Sequence, residues 1–257
     1  MKFILLEKKD RLGIIKLNRA EKRNALNGQV VEELKQAFTS FENDNEVKVI
    51  ILRASGTVFS AGADLHYLQE LQQFSYAENL QDSNNLKDLY LQIYNLKKVV
   101  IAEIQGHAIA GGCGLMTVCD YAFSVPEAKF GYTEVKIGFI PAIVMVFLLR
   151  KLSEGHAKAL LLGGHLISAN YAYKTGLINE IISPDELTNF TESFAKKLVE
   201  SNSESSMSLT KKLISNVQGM TLEDALKLAT ETNATVRESE DCKKGIKAFL
   251  QGDEINW

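Results

Sequence analysis

The sequence predicts an α/β fold with a largely parallel sheet, followed by a helical C-terminal region. Two observations carry this expectation. Apolar runs at Val47 to Leu52, Val99 to Ile104 and Tyr121 to Val125 alternate with helical stretches, the order that crossover units of a parallel sheet require. After about residue 140, helical spacing takes over almost completely.

In order along the chain, residues 3–8 and 12–18 read as two short strands joined at Asp10–Gly13. Asn27 reads as a helix N-cap, and Val30, Val31, Leu34, Ala37, Phe38 and Phe41 follow at helical spacing. The run VKVIIL at 47–52 suits a parallel strand buried on both faces. Residues 55–63 are small and glycine-containing, so they read as a loop, and a helical region begins near Asp64. From Gln69 to Lys98 the pattern is polar and mostly helical, with mobile parts expected around Gln81–Asn85. The strand at 99–104 runs into GHAIAGGCGLMTVCD, where small residues give way to a helix, and a strand follows at 121–125. Helices are expected at 142–151, 154–162, 186–200, 205–218, 221–237 and 240–251, with one strand near 178–182. The organisation expected is an α/β core over 1–190 and a helical region over 191–257, with no repeat or flexible linker.

With 46% hydrophobic residues in 257, a substantial core is available. The net charge of −3 argues against nucleic acid or an anionic membrane surface as partner, so an anionic ligand would need local cations. Cys113, Cys119 and Cys242 are odd in number and form no CxxC pair, which favours a reducing cytoplasm. Charges follow the opening five apolar positions too soon for a signal peptide. The longest apolar run, Phe139 to Leu149, is broken by Pro141 and falls short of a membrane span.

Three segments hold candidate chemistry. In Phe59 to Leu65 (FSAGADL), small residues leave backbone N–H groups approachable, although a turn with an acidic helix cap explains the same letters. In Gly106 to Gly114 (GHAIAGGCG), glycines opening a helix can present N–H donors to negative charge or let the helix pack closely. In Lys129 to Gly138, Glu134 sits among apolar residues that would raise its pKa and suit it to acid–base work, against the alternative of a surface carboxylate. Two donors and one base together are what an enolate or thioester oxyanion needs. His107, His156 and His165 have no metal-ligand spacing, and no metal is expected. Cys113 reads as a small core residue.

Six segments in order carry a resemblance: NRAEKRNAL (18–26), SAGADL (60–65), GHAIAGGCG (106–114), FGYTEVKIGFIP (130–141), AYKTGLI (172–178) and KGIKAFL (244–250). With these, the chain resembles the enoyl-CoA hydratase/isomerase (crotonase) family along almost its whole length. The resemblance implies a spiral of ββα turns and a helical C-terminal region that builds homotrimers, often paired into hexamers. It implies an acyl-CoA thioester as substrate, with coenzyme A as part of that substrate and no separate cofactor. By residue, it implies oxyanion donors at Ala63 and Gly111 and an acid–base carboxylate at Glu134. Ala61, Ala63, Asp64, Leu65 and His66 would lie along the coenzyme A, with Lys22 and Arg23 near its phosphates. Gly114, Tyr132 and Ile143 would face the acyl group.

The chain also departs from the family pattern. Hydratases of the family carry a second glutamate where this chain has Gly114. Isomerases of the family work with one carboxylate, and a non-catalytic acyl-CoA-binding homologue is a third reading. Tyr132 would share a face with Glu134 if the segment were extended, and either replaces the missing carboxylate or packs. Residues 142–150 are bulkier than in common hydratases and, with the GGCG sequence, resemble bacterial methylglutaconyl-CoA hydratase-like members. His66 stands where relatives place a lysine, and reads as a phosphate ligand or a surface histidine.

Overall fold

Asp10 and Arg11 both take positive φ, 49° and 63°, the backbone of a two-residue turn whose twist matches the strands it joins. In the computed structural model, which describes residues 1–257, β1 (Ile4–Lys9) and β2 (Leu12–Leu17) accordingly pair antiparallel. The Asn27 side chain accepts from the Val30 N–H at 3.0 Å and opens α1 (Gly28–Glu42), whose six predicted apolar positions are all buried.

Three strand pairs follow, each with a helical return. They are β3 (Val49–Ala54) and β4 (Val58–Ser60) before α2 (Leu65–Leu71) and α3 (Tyr76–Asn95); β5 (Val99–Ile104) and β6 (His107–Ile109) before α4 (Gly111–Thr117); then β7 (Tyr121–Ser124) and β8 (Lys129–Gly131). The first strand of each pair joins a six-stranded sheet and the second a four-stranded sheet. The chain thus winds as a spiral of ββα turns. The remaining elements are α5 (Ala142–Lys151), α6 (Glu154–Gly163), β9 (Ile167–Ser168), α7 (Ala169–Thr175), β10 (Glu180–Ile181), α8 (Leu187–Ser201), α9 (Glu204–Val217), α10 (Leu222–Arg237) and α11 (Glu240–Gln251). The large sheet runs β1-β2-β3-β5-β7-β10 and is parallel after its opening hairpin, while the small sheet runs β4-β6-β8-β9.

β5 is buried at every position, as its near-continuous apolar sequence requires, and its one charged residue, Glu103, pairs with Arg53 at 3.0 Å. α8 lies across the large sheet, with Phe190 and Phe194 edge-on to Phe123 and Phe194 edge-on to Tyr121 at ring separations of 4.9–5.1 Å. Beyond it, α9, α10 and α11 bury no residue and leave Leu222, Leu226, Phe249 and Leu250 exposed. Lys211 fastens α9 to the core, donating to Asp120 at 2.7 Å and to the carbonyls of Ile93 and Lys98. No helix is long and apolar enough to cross a membrane.

Two sequence expectations need correction. Residues 55–63 contain β4, and Gln81–Asn85 lie within continuous α3. A Ser75/Glu78 capping box starts that helix, and Asn85 accepts from Lys35 at 2.6 Å.

Candidate active site

The register of the small sheet builds the site. Ser60, Ala108 and Phe130 stand side by side on the parallel strands β4, β6 and β8. Just past their C-terminal ends come Ala63, Gly111 and Glu134, so adjacent strands deliver all three to one edge. Ligands of open α/β sheets bind at such an edge.

Ala63 forms a parallel bridge with Leu26, in which the Leu26 N–H donates to the Gly62 carbonyl and the Asp64 N–H to the Leu26 carbonyl. The flanking groups make those bonds, so the Ala63 N–H points the other way, without a protein acceptor, on an exposed residue. Gly111 is the first residue of α4, ahead of the bond from the Gly114 N–H to the Ala110 carbonyl, so its N–H is also unpaired. The orientation of that N–H is set by Ala110, at φ 49° and ψ −125°. A non-glycine residue there stores about 1–3 kcal/mol of strain. The Ala110 N–H holds the turn by donating to the Gly131 carbonyl at 2.7 Å.

The two donor segments touch. Gly62 has φ +88°, and a Cβ there would lie 2.9 Å from the Ala110 Cβ, 3.0 Å from the Ile109 carbonyl oxygen and 3.6 Å from the Gly111 nitrogen. The glycines of α4 divide the two roles left open by the sequence. Gly112 packs, since a Cβ would come within 2.6 Å of Ser60, whereas Gly111 meets its neighbours at 3.4 Å or more.

Glu134 opens a short 3₁₀ turn, Glu134–Ile137, and is half-buried. One carboxylate oxygen is buried without a hydrogen-bond partner. Burial pushes its pKa above the usual carboxylate value, which suits a group that must both take and return a proton.

Several expected residues line the same edge. The Arg23 carbonyl accepts from the Ala61 N–H at 3.0 Å, which seats the exposed, unpaired Lys22 and Arg23 beside the half-buried Ala61. Leu65 is 80% exposed, unusual for an apolar residue unless something covers it. His66 is also exposed and lies 3.1 Å from Glu70.

Two expectations fail on geometry. The Asp64 carboxylate is committed to Arg19 at 2.6 Å and to the His66 N–H at 2.9 Å, where it caps α2, so it has no face free for coenzyme A. Tyr132 is fully buried, and its hydroxyl meets that of Thr117 at 2.7 Å. The chain stops being extended at Gly131, so Tyr132 and Glu134 do not share a face. Cys113 is buried with its thiol pushed up to about 12 by burial, the property of a core residue.

Sequence reasoning missed Tyr90. This fully buried residue of α3 donates its hydroxyl to the Gly111 carbonyl at 2.6 Å. At Gly114 a Cβ would meet the Val144 Cγ1 at 2.2 Å and the Tyr90 hydroxyl at 3.0 Å. Ile143 is half-buried beside Val144 at the start of α5. The spacing of Leu89, Tyr90 and Ile93 was the available signal, hidden in a stretch dominated by polar residues. A cavity of about 860 Å³ lies elsewhere, between Lys151, Asp120 and the helices α9 and α11, and touches none of the three site residues.

Comparison with known proteins converges on one family. The family model for enoyl-CoA hydratase/isomerase matches residues 7–257. A Thermus thermophilus chain with a provisional enoyl-CoA hydratase designation is 40% identical over 243 residues, covering 95% of this chain and 96% of that one. A crotonyl-CoA hydratase of Syntrophomonas wolfei is 30% identical over 256 residues, covering 99% and 97%. Among solved structures, an enoyl-CoA hydratase from Shewanella pealeana superposes with a TM-score of 0.94 at 28% identity, covering 99% of this chain and 96% of that one.

Proposed function

The chain belongs to the enoyl-CoA hydratase/isomerase family of enzymes, and from that premise we propose that it hydrates short enoyl-CoA thioesters through an enolate held by Ala63 and Gly111. The observation that supports this most is the row on three adjacent strand ends. Two N–H groups without acceptors and a carboxylate oxygen without a donor follow those strand ends. Relatives named as hydratases point the same way.

In this mechanism water adds to the conjugated alkene. Glu134 takes a proton from water as its oxygen bonds to the β-carbon, and the alkene electrons move onto the thioester oxygen. Ala63 and Gly111 bond that oxygen more strongly as its charge grows, and loss of one such donor costs about 3–4 kcal/mol of barrier. Glu134 then returns its proton to the α-carbon, and the carbonyl re-forms. Coenzyme A enters with the acyl group, its phosphates beside Lys22 and Arg23 and its remainder along Ala61, Leu65 and His66. No other cofactor takes part.

One observation favours a second reading. Tyr90 and Val144 fill the space beside Gly114, and a lone carboxylate also suffices for an isomerase that moves a proton from the α- to the γ-carbon. For the acyl group, the distal carboxylate of 3-methylglutaconyl-CoA would need a cation or a free hydrogen-bond donor in the acyl pocket, and the Tyr90 hydroxyl is already given to the Gly111 carbonyl. The neighbours of Gly114 are Tyr90 and Val144, with Phe147 packed on Tyr90, so crotonyl-CoA ranks first. The uncovered apolar residues of α10 and α11 support self-association as a trimer or hexamer, and the cysteine usage supports a cytoplasmic setting.

The test is mass spectrometry of products from crotonyl-CoA, 3-methylglutaconyl-CoA and a 3-enoyl-CoA. Gain of one water, lost in Glu134→Ala, is expected. Unchanged mass with a shifted double bond would establish the isomerase. Binding without turnover of any ester would mean a non-catalytic homologue.

A further inference from the structure

Gly111 is fixed from both sides. On its N-terminal side the peptide is turned by Ala110 in its strained conformation and anchored through the Ala110 N–H on Gly131. On its C-terminal side the Gly111 carbonyl receives the Tyr90 hydroxyl at 2.6 Å. Tyr90 is fully buried in α3, and its ring is wedged edge-on against Phe147 at 6.2 Å, so the hydroxyl has little freedom to be anywhere else. Burial, reinforced by the nearby Glu134 charge, holds the phenol protonated, so it acts as a donor throughout the working range.

The same side chain closes the place of a second carboxylate. A Cβ on Gly114 would stand 3.0 Å from the Tyr90 hydroxyl and 3.2 Å from its ring, as well as 2.2 Å from Val144. A side chain at position 114 would collide with Val144 and crowd the Tyr90 hydroxyl and ring.

On the reading that Ala63, Gly111 and Glu134 form one enolate site, we propose that Tyr90 is the positioning residue of the Gly111 donor. Its presence in the space beside Gly114 commits the protein to a single acid–base carboxylate. Tyr90 touches no reacting atom. It acts by fixing the Gly111–Gly112 peptide through its carbonyl, which restrains the Gly111 backbone and so the adjoining Ala110–Gly111 peptide whose N–H is the donor.

The experiment is Tyr90→Phe in the full chain, which removes one oxygen and keeps the ring. Three quantities are read: kcat and KM with the enoyl-CoA ester that the wild type converts, the thermal midpoint, and the absorption red-shift of a bound aryl-enoyl-CoA chromophore. That red-shift reports polarisation of the thioester carbonyl. A drop in kcat of about tenfold or more is expected, with KM within about twofold and a smaller red-shift. A purely structural role would lower the midpoint and leave the red-shift of the folded protein unchanged, which would overturn the proposal. If Tyr90→Phe does not fold, Gly114→Ala with Val144→Ala is read instead. The new methyl then presses on the Tyr90 hydroxyl and the ring edge beside it, and an undiminished red-shift would again overturn the proposal. A wild type that converts ester while Tyr90→Phe matches it in kcat and red-shift refutes the role of Tyr90 and leaves the site reading standing. A wild type that binds the chromophore without any red-shift removes the site reading and the proposal together.

Discussion

Asp64→Asn isolates what holds the Ala63 segment in place. The Arg19 and Asp64 side chains are 11% and 8% exposed and 2.6 Å apart, and Arg19 also donates to the Ala25 carbonyl, so the pair clamps 19–26 to 61–65. Removing one partner of a largely buried pair strands the other charge, at a cost of about 3 kcal/mol. Asparagine still caps α2, whereas Asp64→Ala loses the cap as well and should cost about 1 kcal/mol more. Against a typical domain stability of about 5–15 kcal/mol, either loss is large. Urea titration of the two variants, with Arg19→Ala and the double variant completing the cycle, measures the coupling directly. Burial alone would raise the Asp64 pKa, but Arg19 and the His66 N–H outweigh it and hold it below its ordinary value of 3.8. A lowered carboxyl adds stability above its unfolded pKa and loses it as pH falls through the folded value. The wild-type advantage over Asp64→Asn should therefore be constant near neutrality and shrink below about pH 4. Equal urea midpoints for wild type and Asp64→Asn, or a coupling energy near zero, would refute the reasoning.

The other predictions concern the site itself. Glu134→Gln should abolish turnover and raise the thermal midpoint at pH 7. The raised pKa means that the folded state favours the neutral carboxyl, so this contribution is present at low pH and lost as pH rises through the folded value; melts at pH 4 should show a smaller difference. Gly62→Ala, at φ +88° and facing the Ala110 Cβ at 2.9 Å, should lower stability by about 1–3 kcal/mol and depress kcat more than KM, by urea titration and steady-state kinetics. Gly114→Glu should destabilise the chain rather than create a two-carboxylate hydratase, because the first added carbon already collides with Val144 at 2.2 Å; thermal melts with product analysis check both halves.

How much of this was legible depended on how many residues carried each signal. β3 and β5 announce themselves because burial on both faces leaves near-continuous apolar runs. β4, β6 and β8 have three residues each, too few for any periodicity, so β4 read as a loop and β6 and β8 went unpredicted as strands. Small residues marked the two segments, but Ala63 and Gly111 themselves were named only by the family resemblance, since a backbone donor leaves no mark of its own in a side chain. Asp64 looked like a ligand because nothing local reveals a guanidinium 45 positions earlier in the chain. Tyr90 escaped notice for the same reason, its partner Gly111 being a carbonyl on another turn of the spiral.

The helices α10 and α11 bury no side chain within the chain, so internal packing offsets little of the backbone entropy lost in ordering them, about 1–2 kcal/mol per residue. If neighbouring subunits supply the missing cover, the free energy of folding acquires a concentration term, and the melting temperature should climb as protein is added. Amide exchange would then be slow in α8 whatever the concentration, and in α10 and α11 would slow as concentration increases. With such cover, dilution more than heat is the perturbation expected to loosen α10 and α11 first.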